Sequence, residues 1–525
     1  MIILGIGGLL SDAAAAVLKD GELVAAVEES KLVRRRTHWG NLDEMPEHAI
    51  ATCLELAGAK PEQVDAVAVV RPIPQSDFHL KLRARFPNSR IIVVEHHLAH
   101  AASAYYCSPY DSATVLTLDH SGDFRCGSRW QATGAQISLE HEQYAPDSLG
   151  DLYGRVCELL GLESSVDEHK VQWNSVAGDD RFKQLFLDIL HVTDAGVRID
   201  RGFFSTERVS NGGFGPRFFA RLGLEDGAPI PEALRPHLAA GVQRAMEDAV
   251  IQLAGSGENL CLAGGLGLNA LLVSALENRS GYRNVFVQPV AGNAGTALGA
   301  VLEAWHGVYK HAERVPLTTL SLGPSFNADD IKRVLENCKL RFRYMVTTDE
   351  VVESAVAQLN DHKIVAWMHG RMEFGSRALG NRSILASPLN PYSTENLNSF
   401  IKHREPFRKF AASVPAELCA EYFEVGPNAR YLATVGRVKP AYREQFAAAT
   451  LAGDMVRVHT VDREENPLYW KLLHAAGKAT GLPVLYNTSF NLFGEPLVCT
   501  PRDAVRSFYS SGIDAMFVGN FSLHK

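Results

Sequence analysis

The chain has 525 residues, 46% of them hydrophobic and 21% charged, with a net charge of −8. That length exceeds one ordinary core, so two or more domains are expected in a soluble globular protein. The acidic balance argues against broad nucleic-acid binding, no apolar window is long enough to span a membrane, and the run IILGIGG after Met1 lacks the basic flank of a secretion signal, so a cytoplasmic location is expected.

In chain order, MIILGIGG reads as a strand, and AAAAVLKDGELVAAVEE as two strands joined at Lys19-Asp20-Gly21-Glu22. MPEHAIATCLELAGA has helical spacing ending at Gly58, and VDAVAVV is a buried strand. RIIVVEHHLAHAASAYY passes from strand to helix, and ATVLTLDHSGD from strand to a turn bearing Asp119 and Asp123. GENLCLAGGLGLNALLVSAL and NVFVQPVAGNAGTALGAVLEAW each read strand, glycine loop, helix. Such repeats predict an α/β protein with sites at the strand ends, on the duplicated actin-like ATPase (ASKHA-type) plan. Residues 310–325 read as a connector. Beyond it, KIVAWMH and GLPVLYNTSF are strands of a second α/β region, GRMEFGSRALGNRSIL is a basic loop, and IKHREPFRKF is a dense basic stretch.

Three groups of residues carry chemistry. His96 and His100 fall one turn apart if the segment is helical, on a face suited to two ligands of one metal, while His97 projects about 100° away. Asp119, ending a strand nearby, can complete a set that suits Fe(II), Zn or a similar ion. The bland alternative is a polar helix edge. LAGGLGLN (262–269) and AGNAGTALGA (291–300) offer glycine backbone to a nucleotide, although glycines also serve tight packing. Finally, Arg371, Arg377, Arg382, Lys402, Arg404 and Arg408 surround Gly375, Gly380 and Pro406, with Asn487, Thr488 and Ser489 after a strand. Arginine forks without alternating acids favour an anionic ligand over a solvated face.

The motifs HHLAHAASAYY, LAGGLGLNALL, GNAGTALGA, GRMEFGSRALGNRSIL, IKHREPFRKFAASV and LPVLYNTSFNLFGEPLVCTPRDA, in this order, resemble the O-carbamoyltransferases of antibiotic and nodulation-factor biosynthesis. The resemblance implies an actin-like carbamoyl-transfer domain over 1–320 and a YrdC-like domain over 321–525. The second domain would form carbamoyl-adenylate from carbamoyl phosphate and ATP with Mg2+. The first would pass the carbamoyl group to a hydroxyl of a small-molecule acceptor beside a divalent metal, iron in the family. It further implies that Arg377, Lys402, Arg408, Arg457 and Ser489 surround the anionic substrates. Gly264, Gly265, Asn269, Gly292, Gly295 and Asn487 would bind cofactor, and His96, His100, Asp119 and Asn293 the metal. Three departures stand out. Ser11-Asp12 replaces His-Asp, leaving Asp12 as the catalytic candidate there. Gly292-Asn293-Ala294-Gly295 replaces G-D-x-G. DEHKVQWNSV keeps Glu168, Lys170 and Val171 but loses the usual continuation, so this segment is expected to shape a different acceptor pocket. Two other readings share these features: a tRNA threonylcarbamoylation-type enzyme, which the acidic balance disfavours, and a nucleotide-binding regulatory module with a decayed transfer site.

Overall fold

A computed structural model describes all residues except 10, 36–44, 74–76, 194–195 and 406, together with the side chain of 394, so Pro406 lies outside the described residues. β1 (Ile2–Gly7), β2 (Ala14–Lys19) and β3 (Glu22–Glu28) form an antiparallel meander. β4 (Ala66–Val70) and β5 (Arg90–Val94) extend the other side of β1 in parallel, giving the order β3-β2-β1-β4-β5. β4, buried throughout, is continuously apolar, as a parallel strand covered on both faces must be.

The plan then repeats. β6 (Ser112–Gly122), β7 (Arg125–Thr133) and β8 (Gln136–Tyr144) form a second meander, and β9 (Leu190–Thr193) with β10 (Gly196–Ile199) a separate ribbon. β11 (Ser256–Ala263) and β12 (Gly281–Val287) add in parallel beyond β6, so the order β12-β11-β6-β7-β8 matches that of the first sheet. The helices His96–Cys107 and Thr296–Leu302 pack together between the two sheets through small residues. A Cβ on Gly299 would collide with the Ala99 carbonyl, so TALGA allows the close approach that fixes the histidine helix.

Residues 310–325 contain no strand or helix. The third region carries a ten-stranded mixed sheet between Arg343 and His524, in which Val365–Met368, Arg382–Ala386, Leu485–Ser489, Ala411–Pro415 and Met455–Val461 are successive neighbours. The GRMEFGSRALGNRSIL loop is therefore shorter than expected, because RSILA is a wholly buried strand whose apolar residues find a covering on both faces. No described helix is long and apolar enough to cross a membrane.

The first and third regions are interlocked. Lys31 donates to the carbonyls of Glu373 (2.8 Å) and Gly375 (2.6 Å) and pairs with Glu28 (2.9 Å), whose other oxygen accepts from Gly375 N at 2.8 Å. Arg371 donates to the carbonyls of Val24, Leu322 and Gly323. Arg382, wholly buried, donates to those of His369, Gly370 and Pro324. Both arginines were expected among anion-binding groups. The structure uses them to saturate backbone carbonyls in a loop-rich interface, which is what buried guanidinium groups without carboxylate partners require.

Candidate active site

Glu95 caps the His96–Cys107 helix, accepting from His97 N and Leu98 N at 2.9 Å each, and so sets the helix start at the first histidine. From there His96 Nε2 and His100 Nε2 each lie 3.1 Å from the same Asp119 oxygen. Asp119 belongs to β6 itself, which runs on to Gly122, rather than to a turn after it. His97 points elsewhere and bonds Thr117 Oγ1 at 2.8 Å. The metal-capable atoms of His96, His100 and Asp119 lie within 4.8 Å of one another, all buried. Burial opposes charge on Asp119, but the hydrogen bonds from His100 and His96 outweigh it and hold the carboxyl well below its usual range. Burial lowers His100, whereas in His96 burial is outweighed by Asp119 and the value rises. Two imidazoles and one carboxylate form a donor set that fits a divalent transition metal.

His96 and Asp119 face a cavity of about 390 Å³, with His100 buried behind them; its wall also includes Asp12, Gly265, Asn269 and Asn293. Gly264, at φ +93°, packs against the end of β6, where a Cβ would strike the Leu118 carbonyl. It and Gly295, whose Cβ would strike Val290, shape the loops without lining the cavity. Asn269 caps the Ala270–Arg279 helix and exchanges hydrogen bonds with Gln243, so its amide is spent on structure as well as on the cavity wall. Asn293 Nδ2 donates to Ser11 Oγ at 2.6 Å, while its buried Oδ1 has no partner among the described residues. The two departures noted in the sequence thus meet in one hydrogen bond.

A second cavity, of about 420 Å³, is lined by Arg377, Arg404, Arg408, Arg457, Asn487 and Ser489, among others. Burial, then the charge of Arg408, pulls Arg377 down to about 10, and the same two causes pull Arg404 to about 9. Arg457 is held well below its ordinary value by burial and then by Arg377, Arg404 and Arg408. Like charges about 4 Å apart at an effective dielectric of 20 repel by about 4 kcal/mol. An anion would offset such a cluster. Arg457 Nε and Asn487 Oδ1 are buried without partners among the described residues, and Arg457 also rests 5.4 Å from the Trp173 ring centre. Lys402 does not line this cavity. Its ammonium is held by the Ser489 carbonyl (2.5 Å) and by Asn491 (2.6 and 2.9 Å), fixing the loop that carries both.

The two cavities share Asp12, Val166, His169, Leu268, Gly292 and Asn293 as wall residues. Arg377 reaches across, donating to the Leu268 carbonyl at 3.2 Å. Sequence reasoning missed His169, Gln172 and Trp173, all on the Glu168–Ser175 helix at this boundary. A signal existed: the segment is where DEHKVQWNSV leaves the expected pattern.

Models of the carbamoyltransferase N-terminus and C-terminus match residues 78–302 and 356–525. An uncharacterized protein of Synechocystis, sll1178, is 31% identical over 599 residues, covering 100% of this chain and 96% of its own length. The nodulation protein NolNO of Sinorhizobium fredii is 31% identical over 562 residues, 98% of this chain and 79% of that protein. The chain belongs to the carbamoyltransferase family. It is accordingly a carbamoyltransferase. Among solved structures it is similar to component A of (R)-2-hydroxyglutaryl-CoA dehydratase from Acidaminococcus fermentans, at 17% identity and a TM-score of 0.38, covering 59% of this chain and 100% of that one.

Proposed function

We propose that this carbamoyltransferase works in two stages, an ATP-dependent activation in the arginine cavity and a transfer in the His–Asp cavity, and carbamoylates a hydroxyl of a small-molecule acceptor. The observation that carries the reading is the common wall: a cluster of mutually repelling arginines opens beside a His–His–Asp cluster across six shared residues. In the arginine cavity, carbamoyl phosphate and water yield carbamate and phosphate. The carbamate oxygen then attacks the α-phosphorus of ATP, and pyrophosphate leaves. Arg377, Arg404, Arg408 and Arg457 bind the phosphate oxygens and offset charge as it shifts toward the leaving group. Asn487 and Ser489 orient the small carbamoyl end, from a strand whose exit at Ser489 Lys402 fixes.

Carbamoyl-adenylate then presents its carbonyl at the second cavity. The acceptor oxygen attacks the carbonyl carbon, the carbon–oxygen bond to AMP breaks, and the hydroxyl proton passes to a base on the cavity wall. Asp12, at φ +58° in the first turn, lines both cavities and is the candidate for that base. His96, His100 and Asp119, with Asn293 on the wall of the same cavity, would hold a divalent metal, iron by family resemblance. Such an ion, when bound, supplies Lewis-acid polarisation of the carbonyl or adenylate oxygens. In domain terms, residues 1–320 form the actin-like transfer unit, supported by the strand order that recurs in both five-stranded sheets, and residues 321–525 the YrdC-like adenylate-forming unit.

The test is to incubate the purified protein with carbamoyl phosphate and ATP and follow pyrophosphate and carbamoyl-adenylate by mass spectrometry. Formation that depends on carbamoyl phosphate is expected. Formation instead from threonine and bicarbonate would move the protein to the tRNA-modifying class, and no adenylate at all would remove the reading.

A further inference from the structure

The Glu168–Ser175 helix holds two polar side chains that the steps above leave unused. His169 Nδ1 lies 3.1 Å from the Val166 carbonyl, and a carbonyl only accepts, so Nδ1 carries the proton and Nε2 the lone pair. That Nε2 is buried and without a partner among the described residues. Burial and then the charge of Arg408 keep the ring neutral, at about 4, so the lone pair persists at neutral pH. One turn on, Gln172 is 3% exposed, and its Nε2 is likewise buried and unpartnered. Both residues line the cavity of His96 and Asp119. Buried polar groups are nearly always satisfied, so two unsatisfied neighbours on one wall mark the place of a ligand.

We infer that His169 and Gln172 form the acceptor subsite, and that the acceptor presents adjacent hydroxyl groups, as a sugar or other polyol does. A hydroxyl both donates and accepts, so one can donate to His169 Nε2 while its neighbour accepts from the Gln172 amide. Residues three apart on a helix are offset by about 4.5 Å along its axis, a span that two neighbouring oxygens bridge. Leu9, Pro72, Val166, Met246 and Leu266 line the same cavity and suit the C–H faces of such a molecule. The helix is held at the boundary by Lys170, which pairs with Asp167 (3.0 Å) and with Glu405 (3.3 Å) of the basic stretch. The inference rests on the reading of this cavity as the transfer site.

The same hydroxyl chemistry is present in the ribose of AMP, so the experiment separates the two sources. Saturation-transfer NMR is recorded on the full chain with saturating AMP, using glycerol, methyl α-glucoside and propan-1-ol as probes. Both polyols are expected to receive magnetisation and propan-1-ol none. Gln172→Leu and His169→Phe, each checked for an unchanged melting temperature, should weaken polyol contact roughly tenfold or more. Polyol contact absent from the wild type, contact unaltered in both variants, or contact seen only when AMP is omitted would each overturn the assignment, the last by giving the pair to the ribose. Because binding is read without turnover, failure to form carbamoyl-adenylate would remove the two-step reading and leave this result independent of it.

Discussion

The two cavities satisfy their charges in opposite ways. In the His–Asp cavity, one carboxylate serves two imidazoles at 3.1 Å each, so the cluster is nearly self-contained before anything binds. The arginine cavity is not balanced in this way: Arg377 and Arg404 are each lowered by burial and then by Arg408, and Arg457 is held well below its ordinary value by burial and then by the other three. The first cluster therefore holds its shape largely through its own contacts, and the second through contacts with the surrounding fold, such as Arg404 with Asn398 and Arg377 with the Leu268 carbonyl. Lys402, half-buried Arg371 and buried Arg382 donate to backbone carbonyls around the arginine loops and so help to hold them.

The largest effect should come from breaking the asymmetry at the arginines. Arg377→Ala or Arg457→Ala should cut carbamoyl-adenylate formation by about 10³-fold or more, measured as pyrophosphate release. His100→Ala should spare that half-reaction and stop transfer, and equal loss of both would sink the two-cavity assignment. The self-contained cluster is probed next by metal content. His100→Ala should lower divalent-metal affinity at least about 10²-fold, read by elemental analysis of the purified chain. Gly264→Ala puts a Cβ against the Leu118 carbonyl at φ +93°, next to Asp119, and should cost about 2–4 kcal/mol in urea unfolding.

The smallest effect is graded with pH. His369 and His459, in the C-terminal sheet region, are each lowered by burial to about 3. The unfolded chain then binds more protons than the folded one between pH 3 and 6.5, so stability is full above about 6.5 and falls on acidification. Each is expected to withdraw up to about 1.4 kcal/mol per pH unit below 6.5. Thermal unfolding between pH 7 and 5 checks this, and His459→Gln should flatten the acid slope. A slope unchanged by that substitution would assign the acid sensitivity elsewhere.

Much of this arrangement was legible in the sequence wherever local spacing sets geometry. The i, i+4 relation of His96 and His100 and the exclusion of His97 follow from helical pitch, and the structure keeps both. The hairpin at Lys19–Glu22 and the glycine loops before the Ala270–Arg279 and Thr296–Leu302 helices were readable for the same reason. Long-range placement was not. Arg371, Arg382 and Arg377 look alike in GRMEFGSRALGNR, and only the tertiary fold decides that the first two meet carbonyls while the third enters a cavity. His169 escaped notice because its importance depends on an unpartnered nitrogen, which no sequence spacing encodes.

The lysine lock between the first and third regions has one more consequence. Glu28 ends the first sheet and Lys31 lies on the short helix that follows, yet they hold Glu373 and Gly375, the backbone just ahead of Arg377. Severing the chain in the 310–325 connector would leave the C-terminal fragment without the groups that close its own arginine loop. An exchanged C-terminal half is therefore expected to keep this loop closed only where the receiving half supplies a matching lysine and glutamate.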